Sequence, residues 1–218
     1  MASTADIWNS ALTHAGAAGR IVDPTTPDGS REAELCKMFY PLARRHLLES
    51  STAWSFATKR VTLSRVENKS TEWQFAYGAP SDMVRVVRVV RVVSPSQAGA
   101  TLRNTDDVPT YTATLGYASA VELVNNVPIL YTDIPDAVLV YIADAADPGR
   151  FSPLFVTALG YTLASFIAGG LVKGVAGVKL ARELREVAAS FTADAATAQA
   201  NSMQDQTMPA TPMITSRY

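Results

Sequence analysis

The sequence contains little histidine and cysteine, the side chains that most often carry nucleophilic, acid–base and metal chemistry. Its 218 residues include two histidines, His14 and His46, and a single cysteine, Cys36. One cysteine cannot form an intramolecular disulfide, so a disulfide framework is excluded and a reducing compartment is favoured. A zinc site needs three or four ligands, and neither histidine has a second histidine four residues away. We therefore predict no metal site, no cofactor and no enzymatic activity.

The chain also lacks a surplus of charge of either sign. It has 19 Lys and Arg residues against 20 Asp and Glu residues, for a formal net charge of -1. Proteins that grip nucleic acid usually carry a basic excess, because neutralisation of phosphates by Lys and Arg dominates that affinity. Hydrophobic residues make up 48% of the chain and charged residues 18%, which is typical of a globular protein. The apolar surplus favours a large subunit interface.

One uncharged run is long enough to cross a membrane. Residues 151–172 contain no Asp, Glu, Lys or Arg, and a spanning helix needs about 20 apolar residues. Large apolar residues recur at helical spacing on one side of this run, and small or weakly polar residues occupy the other. No aromatic belt or Lys/Arg cluster flanks it. This pattern favours a buried core helix, with a single membrane span near 151–172 as the alternative.

The period of the apolar pattern changes along the chain. Residues 1–59 and 146–201 follow a helical period, whereas residues 60–145 mostly alternate as β strands do. Residues 202–218 contain two prolines and few core-forming residues, which predicts an extended tail. We predict an α+β fold in which the N- and C-terminal helices form one bundle and the β-rich lobe is inserted between them.

The second helical pattern is interrupted by a proline. Pro41 predicts a kink or a break between two collinear pieces. The apolar positions of this helical pattern are Leu35, Cys36, Phe39, Tyr40, Leu42, Ala43, Leu47 and Leu48.

A triplet repeat marks the middle of the β region. Residues 85–93 read Arg-Val-Val three times, with Arg85, Arg88 and Arg91 at the repeat positions. Valine favours a strand, but a period of three matches neither strand nor helix, so we expect a β-bulge. One interpretation is that the arginines form a basic stripe that reaches phosphate. The other is that they form a solvated edge that blocks aggregation, or that they pair with acids of a neighbouring subunit. The neutral overall charge disfavours the phosphate-binding stripe, which leaves inter-subunit contacts as one of the two remaining roles.

A series of short motifs, none specific alone, occurs in a defined order between about residues 5 and 190. The series is Ile7-Trp-Asn-Ser-Ala-Leu12 with Gly16, Cys36 through Tyr40 with Arg44, Trp54-Ser-Phe-Ala57, Trp73-Gln-Phe-Ala-Tyr77 with Pro80 and Asp82, Leu130-Tyr-Thr-Asp133, and Asp147-Pro-Gly-Arg-Phe-Ser-Pro-Leu-Phe155. This ordered set resembles the head-to-tail adaptors of short-tailed bacteriophages, also called tail tubular protein A or gatekeeper-type adaptors.

The resemblance implies a structural virion protein. Such a subunit forms a ring, expected to be a dodecamer, beneath the portal protein in the neck of the virion after assembly in the host cytoplasm. The ring extends the DNA channel, which DNA crosses without specific binding, retains the genome, and supports the tail nozzle protein, with tail fibres as a further candidate partner. No membrane association is implied.

The resemblance also implies a role for the C-terminal segment, because an extended tail commonly contacts the portal in such rings. The residues predicted to dock are Met208, Pro209, Pro212, Met213, Ile214, Arg217 and Tyr218, with Arg217 and Tyr218 as anchors. The alternative for this segment is plain terminal disorder.

Overall fold

The structure, a computed structural model, describes residues 2–25, 29–50, 53–91 and 117–204. The chain divides into two compact units. A helical unit comprises Met1–Phe56 together with Ala145–Tyr218, and a β unit comprises Ala57–Asp144. The fold is α+β, as predicted.

The described residues of the helical unit form four α-helices. They are α1 (Thr4–His14), α2 (Arg31–Glu49), α3 (Pro153–Leu171) and α4 (Val175–Gln204), and a 3-10 turn (Pro148–Arg150) precedes α3. Helix α3 contacts each of the other three helices. Its buried residues are Phe155, Ala158, Leu159, Gly160, Thr162, Leu163, Ala164, Ser165, Ile167 and Ala168. They lie on nearly every side of the helix, so α3 is the centre of this unit.

Polar residues fix where three of these helices begin. Ser3 accepts a hydrogen bond from the backbone N–H of Asp6, and the Asp6 carboxylate accepts one from the Ser3 N–H, forming a capping box. Ser30 caps α2 and Ser152 caps α3 in the same way, each accepting from a backbone N–H three residues on. Each such cap is worth about 1 kcal/mol of helix stability.

Proline 41 does not interrupt α2. The helix runs from Arg31 to Glu49 with Pro41 inside it, so the predicted alternative of a break is wrong. Pro41 is exposed, which lets its ring point away from the packed side of the helix. Packing of the opposite face, where Cys36, Tyr40 and Ala43 are buried, supports the helix across the missing hydrogen bond.

Helix α3 has the length and the apolar composition that a membrane-spanning helix requires. It is the one helix among the described residues with this property, with a mean hydropathy of 1.7 over its most apolar window. In that window 56% of the residues are buried inside the protein. Packing against α1, α2 and α4 therefore accounts for the apolar character of this helix.

In the part of the β unit that the structure describes, the strands form two antiparallel three-stranded sheets. The strands are β1 (Thr58–Thr62), β2 (Phe75–Gly78), β3 (Met83–Arg91), β4 (Ser119–Val124), β5 (Val127–Thr132) and β6 (Ala137–Ala143). The sheet orders are β1-β6-β3 and β2-β5-β4. Single bridges, Arg65 to Tyr77 and Val89 to Tyr117, join the two sheets at both sides.

Both sheets contribute to one apolar core in the β unit. Its fully buried members include Tyr77 and Leu130 from one sheet and Val89 and Leu139 from the other. The β4–β5 hairpin turns at Asn125 and Asn126, whose φ angles are 51° and 66°. Two consecutive positive φ angles are typical of the type I′ turn that matches strand twist.

Candidate interaction surfaces

Two bulges accommodate the Arg-Val-Val repeat in β3. The pairing of β3 with β6 shifts between Met83 and Arg85 and again between Val86 and Arg88. At each shift β3 contains one residue more than β6, first Val84 and then Val87. The bulge expected from the sequence is therefore present twice, and it converts a period of three into the period of two that a strand requires.

These bulges decide which way the arginines point. Arg85 pairs with Ile142 and Arg88 pairs with Val140, two residues on the same face of β6, so both arginines lie on one face of the sheet. Val86 and Val89 face the shared core instead. No bulge separates Val89 from Arg91, so the third arginine pairs with Ala137 and lies on the opposite face.

The three arginines predicted to contact a neighbouring subunit are thus not one continuous stripe. Arg85 and Arg88 are half-buried, and Arg91 is exposed at the end of the strand. The Nε of Arg88 is buried and has no hydrogen-bond acceptor among the residues that the structure describes. A buried guanidinium N–H without an acceptor costs free energy. The inter-subunit role stays a prediction.

The residues predicted to dock on the portal, Met208 to Tyr218, lie outside the described residues. Helix α4 is described as far as Gln204.

The two histidines contact aromatic rings in the helical unit. His14 stacks on Tyr161 with ring centroids 4.0 Å apart, and Tyr161 stacks in turn on Phe191 at 5.2 Å. Burial lowers the pKa of His14, so it is neutral at physiological pH. His46 is exposed, with its ring 6.0 Å from that of Phe166. These contacts tie α1, α2 and α4 to α3.

The single cysteine is unsuited to nucleophilic chemistry. Cys36 has no exposed surface, and burial, assisted by the nearby charge of Glu32, raises the pKa of its thiol to about 12. Because the thiolate is the reactive form, a thiol with this pKa is unreactive near neutral pH. Within the described ranges, no group of three or more His, Cys, Asp and Glu side chains could hold a metal ion.

Helix α2 also presents two apolar side chains to solvent. Met38 is 63% exposed and Leu42 is 55% exposed. They belong to a stripe along the outer side of the helix, here called the α2 stripe, which consists of Arg31, Leu35, Met38, Leu42, Arg45 and Glu49. Leu42, one of the apolar positions of the helical pattern, therefore faces solvent.

A shallow cavity of about 540 Å³ opens beside the α2 stripe. It is lined by Phe39, Leu42, Arg45, His46, Glu49 and Phe166. Phe39 and Phe166 form its apolar base, with ring centroids 6.3 Å apart. The cavity thus combines an apolar base with an ionisable rim, which is typical of a surface that receives side chains of another protein.

A further cavity of about 550 Å³ lies between α2, α3 and α4. Its polar wall includes Thr162 and Ser165, whose hydroxyls already donate to the carbonyls of Ala158 and Thr162. The wall formed by α4 contains four alanines, Ala188, Ala189, Ala193 and Ala196. His46, Glu49 and Arg185 also line this cavity.

The β4–β5 hairpin exposes apolar side chains in the β unit. Leu123 is 73% exposed, Val127 is 52% exposed and Val121 is 42% exposed. Val121 and Leu123 alternate on β4 and share one face with Leu130, a core residue of β5. The apolar face of this sheet therefore extends from the core into solvent at the hairpin.

The sequence did not indicate the α2 stripe or the hairpin as surfaces. Both contain apolar residues at the spacing of a core. Periodicity alone does not distinguish a face that is covered within the subunit from one that is covered by a partner. Comparison with models of protein families and with curated protein sequences gives no match for this chain.

Proposed function

We propose that this chain is a structural subunit of a short-tailed phage virion, forming the ring that joins the portal to the tail. The observation that carries the proposal is the interleaved architecture: a β unit of residues Ala57–Asp144 is inserted between the two halves of a helical unit. The adaptor resemblance implies the same helical bundle and β-rich lobe in each subunit. The ordered motifs of the sequence supply the link to that family.

Exposed apolar surface supports an assembling role. Both units present large apolar side chains to solvent, Met38 and Leu42 in the helical unit and Val121 and Leu123 in the β unit. Contiguous apolar patches on a protein surface commonly mark interaction sites. A subunit of a ring bound to a portal and a nozzle has several partners that would cover such patches.

The charge of the chain suits a channel through which DNA moves. A net charge of -1 gives the phosphate backbone no strong electrostatic hold. A neutral to mildly acidic lining lets DNA slide during ejection, because phosphates are not retained by fixed cations. The ring then extends the channel without binding the genome specifically.

Electron microscopy of reconstituted complexes tests the proposal. The purified chain is mixed with portal rings produced from the same phage genome, and portal rings alone serve as the control. We expect one added ring of density on the side of the portal that faces the tail. Portal rings that gain no density at saturating concentrations of the chain would contradict the proposed function.

A further inference from the structure

The α2 stripe has the spacing of a coiled-coil seam. Its residues lie at positions 31, 35, 38, 42, 45 and 49, which alternate steps of four and three residues over the whole helix. This spacing places them in one line along the helix, because 3.6 residues complete a turn. A different line, including Ala33, Cys36, Tyr40, Ala43 and Leu47, is buried in the subunit. Helix α2 therefore has two seams, and one of them points outward.

The outward seam is complementary to itself in the antiparallel direction. When two copies of α2 run antiparallel with Met38 of one opposite Leu42 of the other, Leu35 meets the aliphatic part of Arg45. In the same register Arg31 at the start of one helix meets Glu49 at the end of the other. Apolar residues thus oppose apolar surface at the middle, and opposite charges meet at both ends.

The charged residues at the two ends of the seam have the signs that the dipole of an isolated helix disfavours. Arg31 is the first residue of α2 and Glu49 is the last. The helix dipole disfavours a cation at the N-terminus and an anion at the C-terminus. Among the residues that the structure describes, neither side chain makes an ion pair that would offset this cost. Departures from a local rule of this kind are expected where a residue serves a contact outside the subunit.

We propose that a second copy of this chain docks on the α2 stripe, so that the two α2 helices pack antiparallel as a two-fold dimer. Met38 of the second copy then lies over Leu42, beside the cavity whose base is formed by Phe39 and Phe166. Leu35 is half-buried because its side chain lies against Gly170, and its remaining exposed part adds apolar surface to the proposed contact. The contact is about 28 Å long, the length of a 19-residue helix.

This contact is distinct from the contacts of the proposed ring. A two-fold interface closes after two copies, whereas a ring requires a head-to-tail interface. The dimer is therefore a form of the free chain, which keeps the α2 stripe covered before assembly. The inference does not rest on the proposed function, and its test requires no portal protein.

Sedimentation velocity of the full chain tests the dimer over roughly a hundredfold range of micromolar concentration. We expect a shift from the 23.3 kDa monomer to a species of twice that mass. Leu42→Lys should weaken self-association by about 100-fold, because two copies of the leucine lose their apolar contact in each dimer. Lys37→Glu changes a charge on another exposed side of α2 and is the matched control, expected to leave the dimer intact.

Charge reversal distinguishes specific pairing from general stickiness. Arg31→Glu and Glu49→Arg should each weaken the dimer by about tenfold, since each leaves like charges opposed. Each change favours the helix dipole, so a loss of dimer would not reflect unfolding. The double variant restores opposite charges and should recover self-association. A wild-type chain that stays monomeric, a larger oligomer without dimer, or a double variant no better than the single variants would overturn the proposal.

Discussion

The imidazole of His14 stacks on the ring of Tyr161, with centroids 4.0 Å apart and planes inclined by 16°. This contact joins the end of α1 to the middle of α3. Tyr161 also stacks on Phe191, which belongs to α4. Three helices distant in sequence are thus held together by one stack of rings. Because His14 is titratable, we expect the stack to be sensitive to pH.

The stability of the helical unit should fall as pH decreases below 6.5. Burial lowers the pKa of His14 from its ordinary value of 6.5, so the unfolded chain takes up the proton before the folded chain does. The contribution of His14 is fully present above pH 6.5 and is lost as pH falls through the folded pKa. Thermal melts of the wild type and of His14→Phe between pH 7 and about pH 5 measure this contribution to stability. A variant with the same pH dependence as the wild type would contradict the assignment.

Tyr141→Phe should destabilise the β unit by about 1 kcal/mol. The Tyr141 hydroxyl donates a 3.0 Å hydrogen bond to Asp82, and the same carboxylate accepts one from Lys59 at 2.7 Å. Burial, with the bond to Asp82, raises the pKa of Tyr141 to about 12, so the hydroxyl remains a donor at neutral pH. Denaturant unfolding compares the variant with Lys59→Met, which removes only an exposed ion pair and should cost less. Equal stability of Tyr141→Phe and the wild type would show that the hydrogen bond from Tyr141 to Asp82 does not stabilise the β unit.

Val89→Ala should destabilise the β unit by about 2 kcal/mol, and Val90→Ala by clearly less. After the second bulge Val89 faces the shared core with no exposed surface, whereas Val90 pairs with Val138 on the other face and is half-buried. The two variants differ by one position in a run of valines, so each controls for the other. Chemical denaturation of both provides the measurement. A larger cost at Val90 would show that the register of β3 is different.

Deletion of residues 208–218 should weaken portal binding while leaving the thermal melt nearly unchanged. The proposed docking role predicts the loss of affinity, and terminal segments outside a core contribute little to folding. Arg217→Ala and Tyr218→Ala should each reproduce part of the effect. Binding to immobilised portal rings and a melt of the free chain measure the two quantities. Unchanged affinity after the deletion would remove the tail from the docking interface.

Local signals in the sequence predicted local structure well. The spacing of Ser3 and Asp6 is that of the capping box at the start of α1, and the triplet repeat requires the bulges that β3 contains. Each of these features depends on a few neighbouring residues. The α+β class follows for a related reason, because the change from helical to strand period is visible over each segment.

The partner surfaces could not be read from the same patterns. Apolar residues of α2 lie in both seams. Which seam is covered by the subunit's own helices cannot be predicted from their spacing. The exposure of Leu42 and the burial of Cys36 depend on where α3 lies against α2. Similarly, Leu123 of β4 has the alternation of a core residue but lies at a hairpin that extends beyond the core.

Native mass measurement of the complex with the portal tests the central claim most directly. Portal rings from the same phage genome are saturated with the chain, freed of excess subunit and weighed intact. The account predicts a single complex heavier than the portal ring by a dodecamer of 23.3 kDa chains. A portal ring of unchanged mass would contradict it.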